Sequence, residues 1–283
     1  MKIGRVGIVG AGAMGNGIAQ TAAVVGLNVV MIDVTEAALS KGVATLISSL
    51  ERLVSKGKLD ADARAASLAR METSTDYQRL VDVDLVIEAA TENNDLKVRI
   101  LKQIEAVARP DAIIASNTSS IAITALGATL ADPSRFIGMH FFNPVPMMPL
   151  VEIIRGVRTS QAVAEAIREL TVRFDKTPIG VKNSPGFVVN RILVPMINEA
   201  FFVLARRRRH PRRNRRRHEA WGQSPDRPAR AGRPRWPRCR SVGAGRVPEK
   251  LRRSEVPCLP AVARTGCGRR LGRKTGHGVY SYG

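Results

Sequence analysis

Short runs of uninterrupted apolar residues alternate along this chain with longer stretches in which apolar residues return every three or four positions. The run 5–10 (RVGIVG) is short, β-branched and closed by glycine, which predicts a strand buried on both faces. From 13 to about 26 the apolar positions recur at helical spacing. A second strand is expected over 28–33 (NVVMID) and a helix over 36–54. Lys56, Gly57 and Lys58 read as a turn into another helix that runs through Arg70. Strands over 84–90, 112–117, 135–142, 150–156 and 178–183, with helices over 94–108 and 161–174, continue the alternation. Such alternation predicts an α/β fold with a Rossmann-like, doubly wound and mostly parallel sheet. After Pro185 the pattern changes to one stretch, GFVVNRILVPMINEAFFVLA, apolar on most faces. A helix of that kind needs partners around it. The expected organisation is an α/β domain over 1–185 and a helical C-terminal domain over 186–283. No internal repeat is evident.

Composition changes this picture in one place. A chain of 283 residues with 44% hydrophobic content suits a soluble globular protein, and no run of eighteen apolar residues suggests a membrane span. The N-terminal MKIGRVGIVGAGAMG has no signal-peptide h-region or cleavage site, so a reducing, cytoplasmic location is expected. The formal charge of +21 is local. Residues 206–270 hold 22 of the 45 Lys and Arg and only 4 of the 24 Asp and Glu, leaving +3 for everything else. The same window contains 8 of the 16 prolines, both tryptophans and all three cysteines, Cys239, Cys258 and Cys267.

The first candidate site lies between the first strand and the first helix. Gly10, Ala11, Gly12, Ala13, Met14 and Gly15 spell G-A-G-A-M-G. The first glycine allows a tight turn, the second lets a pyrophosphate approach the backbone, and the third permits close helix–strand packing. The helix N-terminus then offers N–H groups and partial positive charge to phosphate. Asp33, at the end of the second strand, is placed for a ribose 2′-hydroxyl and against a 2′-phosphate, so NAD is favoured over NADP. The spacing alone is weak; the strand before it, the helix after it and Asp33 give it weight.

His140, in GMHFFNPVP, is the one histidine inside the predicted α/β region. Imidazole suits proton exchange with an alcohol near neutral pH, although a lone histidine beside Phe141 and Phe142 is more often a core residue. Glu152 follows a strand and a turn, where a carboxylate can orient the ring and stabilise an imidazolium. SNTSS (116–120) follows a strand at the end where open α/β sheets bind ligands, and reads either as a site or as a polar turn. No metal site is expected.

VGIVGAGAMGNGIAQ, DLVIEAATENNDLKVRILKQI, ASNTSSI, GMHFFNPVPMMPLVEII, NSPGFVVNRILVPMINEA and LGRKTGHGVYSYG together resemble the short-chain 3-hydroxyacyl-CoA dehydrogenases, with the bacterial 3-hydroxybutyryl-CoA dehydrogenases the nearest group. The resemblance covers 1–205 almost continuously and then 271–283. It implies NAD-dependent oxidation of a 3-hydroxyacyl-CoA to the 3-oxoacyl-CoA, and the reverse, by a homodimer. By this resemblance His140 would be the general base, Glu152 its partner, Ser119 a hydrogen-bond donor to the substrate oxygen, and Asn190 a stabiliser of charge on the thioester side. Glu92, Lys97, Ser119, Asn143 and Lys274 would contact NAD, and Ser49 and Lys56 the CoA moiety. Pro149 departs from the family pattern, which more often has lysine there; none of these roles depends on it.

Where the family continues in an acidic helical stretch, this chain reads RRRRHPRRNRRRH. The segment HEAWGQSPDRPARAG (218–232), written in suitable codons and read one base later, becomes MKLGANHPIGPLAL, a run of the family type. Two compensating frameshifts, near Ala205 and near Arg270, account together for the arginine, proline, tryptophan and cysteine of the window. Its composition predicts disorder. A chain carrying it as written is expected to turn over little. The competing reading is a Rossmann-type binding protein with a basic arm for nucleic acid.

Overall fold

The structure, a computed structural model, describes residues 3–205. The expectations that fall on 206–283, including Lys274, lie outside the described residues. The described residues divide into two units between Val188 and Val189.

The first unit is built on eight strands: β1 (Arg5–Val9), β2 (Asn28–Ile32), β3 (Met71–Ser74), β4 (Leu85–Glu88), β5 (Ile113–Ser116), β6 (Phe136–Phe141), β7 (Leu150–Arg155) and β8 (Thr177–Lys182). Helices α1 (Ala13–Val24), α2 (Glu36–Val54), α3 (Ala61–Ala69), α4 (Asn94–Val107), α5 (Ile123–Gly127) and α6 (Gln161–Arg173) connect them. The sheet order is β3-β2-β1-β4-β5-β6-β7-β8. The chain winds outward from β1 in one direction and then from β4 in the other. The reversal falls between β1 and β4, where open α/β sheets form their ligand crevice.

The strands are apolar without alternation because both faces are covered. Val6, Ile8, Val29, Met31, Leu85, Ile87, Ile113 and Ala115 enter one core with residues of α1, α2 and α6. Their strand neighbours Val9, Val30, Ile32, Val86 and Ile114 enter a second core with residues of α4 and α5. Side chains that point alternately up and down a strand therefore all find apolar company. Three helices begin where sequence spacing suggests, each capped by a side-chain oxygen: Thr35 on Ala38 N–H, Asn93 on Leu96 N–H and Ser160 on Val163 N–H.

Four features differ from the sequence pattern. β3 is a four-residue edge strand, METS, too polar and short to show a period, and it exists by pairing with β2. α5 is a single short helix in a stretch with no helical repeat long enough to read. β6 and β7 form an antiparallel pair within the otherwise parallel sheet. In the second unit, helix α7 runs over Val189–Ala205. It starts later than the apolar run at 186, because Gly186 and Phe187 hold positive φ values of 77° and 51° that no helix can accommodate. Among the described residues no helix is long and apolar enough to cross a membrane.

Candidate active site

On the β1–β3 side the site is made of backbone. Gly10 has φ +108°, and a Cβ there would stand 2.6 Å from Ala90 Cα in the turn after β4. A Cβ on Gly15 would lie 1.7 Å from the Gly10 carbonyl oxygen, so α1 approaches β1 only because position 15 has no side chain. Gly12 caps α1 without a side-chain bond, and no acidic residue occupies its first turn. The leading N–H groups of the helix are thus available to an anion. Gly12 and Ala13 are exposed, Met14 is half-buried, and Ala11 is buried. Asp33 reaches back from the end of β2. Its carboxylate accepts from Ala11 N–H at 2.6 Å and from Val34 N–H at 2.7 Å, which ties the end of β2 to the glycine turn. These residues fit a dinucleotide: the turn is packed tightly on its own backbone at Gly10 and Gly15 and is open at Gly12, where a phosphate would sit, and Asp33 stands where a ribose hydroxyl would.

On the β4–β5 side the site is made of side chains. Glu88, the last residue of β4, is fully buried. One carboxylate oxygen accepts from Ala90 N–H at 3.0 Å and Thr91 N–H at 3.4 Å. The other accepts from the Lys97 ammonium and, at 2.9 Å, from the Ser116 hydroxyl. Lys97 is also within 3.3 Å of Ser116 Oγ and 3.9 Å of Glu92. Glu92 is exposed, and its Oε1 accepts from Thr118 Oγ1 (2.8 Å), Ser119 N–H (2.8 Å), Ser119 Oγ (2.9 Å) and Ser120 Oγ (3.1 Å). SNTSS is accordingly a turn gathered around a carboxylate.

The antiparallel register of β6 and β7 sets His140 directly opposite Glu152. Their side chains meet at 2.7 Å between Nδ1 and a carboxylate oxygen, with exposures of 5% for His140 and 0% for Glu152. The other Glu152 oxygen accepts from Val188 N–H at 2.9 Å. An ionised Glu152 keeps the ring proton on Nδ1 and leaves Nε2 to face chemistry. Phe142 and Phe187 stand beside the imidazole, with ring centroids 4.5 and 5.7 Å away. Asn117 joins this pair to the SNTSS turn, its side-chain oxygen accepting from Phe141 N–H at 2.9 Å. Beyond β6 the chain passes the exposed Asn143 into a loop held from below by Lys176, whose ammonium donates to the carbonyls of Val145 (2.7 Å) and Met148 (2.9 Å). Burial pushes the Lys176 ammonium below its usual range, despite the opposing charge of Asp175.

The fold therefore brings Gly10–Gly15, Asp33, Glu92, Ser119, His140, Glu152 and Asn143 to the carboxyl edge of one sheet. Lys97 arrives there too, but at 1% exposure and paired with Glu88, since a cation so buried requires a partner. Ser49 is half-buried near the end of α2, and Lys56 is exposed in the turn that follows. Asn190 belongs to α7 in the second unit. Glu88 went unremarked in the sequence, and Ser116 and Asn117 were read only as part of SNTSS. The signal was faint: a carboxylate ending an otherwise apolar strand, LVIE.

Residues 5–184 match the family described as 3-hydroxyacyl-CoA dehydrogenase, NAD binding domain. The chain belongs to the 3-hydroxyacyl-CoA dehydrogenase family. It is 47% identical over 202 residues to a 3-hydroxybutyryl-CoA dehydrogenase of Bradyrhizobium diazoefficiens, covering 71% of this chain and 69% of that one. A probable 3-hydroxybutyryl-CoA dehydrogenase of Deinococcus radiodurans is 48% identical over 196 residues, 69% of this chain and 70% of the relative. Among solved structures, (S)-3-hydroxybutyryl-CoA dehydrogenase PaaH1 from Ralstonia eutropha superposes with a TM-score of 0.88 at 48% identity, over 100% of both chains. The matched family domain is an NAD-binding domain, which gives NAD(H) as the cofactor.

Proposed function

We propose that the chain oxidises 3-hydroxyacyl-CoA, such as 3-hydroxybutyryl-CoA, to 3-oxoacyl-CoA with NAD, and runs the reverse reaction. The observation that carries this reading is the buried His140–Glu152 pair at the same sheet edge as the glycine turn. Bound NAD would supply the acceptor for a hydride from C3 of the substrate. His140 Nε2 takes the hydroxyl proton, and Glu152 balances the imidazolium that forms. Ser119 holds the substrate oxygen, and Asn190 acts on the thioester side. Glu92, Lys97, Ser119, Asn143 and Lys274 serve the cofactor, with Ser49 and Lys56 serving CoA. The Asp33 carboxylate disfavours a 2′-phosphate, which makes NAD the preferred cofactor over NADP. A homodimer in the cytoplasm completes the proposal. The relatives and the solved structure described above are named as dehydrogenases, which leaves the basic-arm reading without support.

The test pairs two experiments. Genomic DNA is resequenced across codons 200–275, and NADH oxidation by acetoacetyl-CoA is measured on full-length protein of verified mass. Turnover is expected from protein in which the segment reads MKLGANHPIGPLAL, and little from the chain as written. Absence of turnover in both forms overturns the proposed activity. Full activity in the chain as written overturns the expectation about the basic segment instead.

A further inference from the structure

We infer that Lys176 is a positioning residue for the nicotinamide half of the cofactor, holding the 143–149 loop, and with it Asn143, in place beside α1. This rests on the NAD reading of the site, in which Asn143 serves the cofactor. The loop leaves the carboxyl end of β6, on the far side of the sheet reversal from the glycine turn and Asp33. A dinucleotide lying across that reversal places one mononucleotide on each side. With Asp33 on the adenosine side, a residue that follows β6 falls to the nicotinamide side.

The loop reads N-P-V-P-M-M-P, and its three prolines have no N–H to donate. The N–H groups of Met147 and Met148 both return to the Pro144 carbonyl, at 3.0 and 3.1 Å. The carbonyls of Val145 and Met148 are met from outside the loop, by the Lys176 ammonium at 2.7 and 2.9 Å. The adjacent Thr177 N–H donates to the carbonyl of Pro149, where the loop ends, at 2.7 Å. Val145 is buried and seats on α1 at Gly17, where a Cβ would stand 2.9 Å from Val145 Cβ. The loop is therefore fixed at one contact by the helix that follows the glycine turn and at another by an ammonium that is itself only 8% exposed. Asn143 stands exposed at the head of the loop, and its placement depends on that anchor. Lys176→Met keeps the length and the apolar stem of the side chain but removes both hydrogen bonds, which frees the loop and leaves the glycine turn as it was.

The experiment is a binding titration on the full chain, with NADH fluorescence for the whole cofactor and AMP competition for the adenosine half. It needs no turnover. Lys176→Met, Asn143→Ala and the double variant form a cycle. Each single variant is expected to raise the NADH dissociation constant by about fivefold, the size of one hydrogen bond, with AMP affinity unchanged. Because Lys176 acts through Asn143, the double variant is expected to bind NADH no more weakly than the singles. A lysine that only stabilises the fold would give losses that add in the double variant, or that fall equally on NADH and AMP, and either result overturns the inference. Unchanged NADH affinity in either single variant overturns it as well. If Lys176→Met does not fold, Lys176→Gln replaces it in the cycle and is read in the same way. A parent chain that does not bind NADH overturns the cofactor reading itself, and the inference with it.

Discussion

The two halves of the sheet build their share of the site by opposite means. On the β1–β3 side the working groups are backbone N–H donors, absent side chains at Gly10 and Gly15, and one carboxylate, Asp33. On the β4–β7 side they are side chains that hold one another: Glu88 with Lys97 and Ser116, Glu92 with Ser119, and His140 with Glu152. The difference teaches where chemistry can be placed. Backbone donors serve a ligand that only has to be bound, since their geometry is fixed by the fold. A group that must accept and return a proton needs a titratable side chain with a partner to steady it, and burial makes that partner obligatory.

This contrast predicts where substitutions act, and the kinetic tests use protein in which the parent turns over. The largest effect is expected at His140. His140→Gln should lower kcat by about a thousandfold, within the usual range for a general base, while NADH titration shows the cofactor still bound. A variant that keeps a tenth of the parent rate would break the assignment. Glu152→Gln comes next. It keeps an acceptor for Val188 N–H but removes the charge that balances the imidazolium, so kcat should fall by about a hundredfold with little change in acetoacetyl-CoA KM. An effect confined to KM would move Glu152 from proton chemistry to substrate binding.

On the other half, Asp33→Asn should weaken NADH binding by about tenfold and narrow the discrimination against NADPH, with kcat at saturation nearly intact. A kcat loss as large as that of His140→Gln would erase the distinction between the halves.

The smallest effect lies at the opposite edge of the same strands. Burial pushes the Asp84 carboxyl up, but the N–H groups of Gly4 (2.8 Å) and Arg5 (2.9 Å) and the Arg109 guanidinium (3.0 Å) outweigh it and hold the group below its usual range. A carboxyl with a depressed folded-state pKa stabilises the fold above its unfolded value and loses that contribution as pH falls through the folded one. Asp84→Asn should therefore reduce stability by about 1 kcal/mol at neutral pH, with parent and variant converging in acid. Thermal melts from pH 7 down to pH 3 follow this directly, and catalysis should not respond.

How much of this was legible before folding depended on distance along the chain. The glycine turn and Asp33 are separated by a strand and a helix whose lengths the apolar period already shows, so spacing was enough to pair them. His140 and Glu152 are twelve residues apart, and their meeting required the antiparallel register of β6 and β7, which an alternation of strands and helices does not specify. Glu88 meets Ser116 across 28 residues and Glu92 meets Ser119 across 27, in both cases because β4 and β5 are neighbours. The roles of Ser119 and Asn190 came from family resemblance rather than from any local pattern. The edge strand METS stayed invisible because only its pairing with β2 makes it a strand.

The sequence by itself determined the α/β class, the parallel core and the place of the glycine turn. Those follow from short-range facts: which residues are apolar, at what period, and where glycine removes a side chain. Only the tertiary structure decided that Lys97 is a buried, paired cation, that Glu92 organises the 118–120 turn, and that an antiparallel β6–β7 register delivers the expected meeting of Glu152 with His140. The first and the last of these depend on which charged groups burial forces together. In the interior a charge must be met by whatever lies within a few ångströms, and the fold chooses that neighbour, not the order of residues.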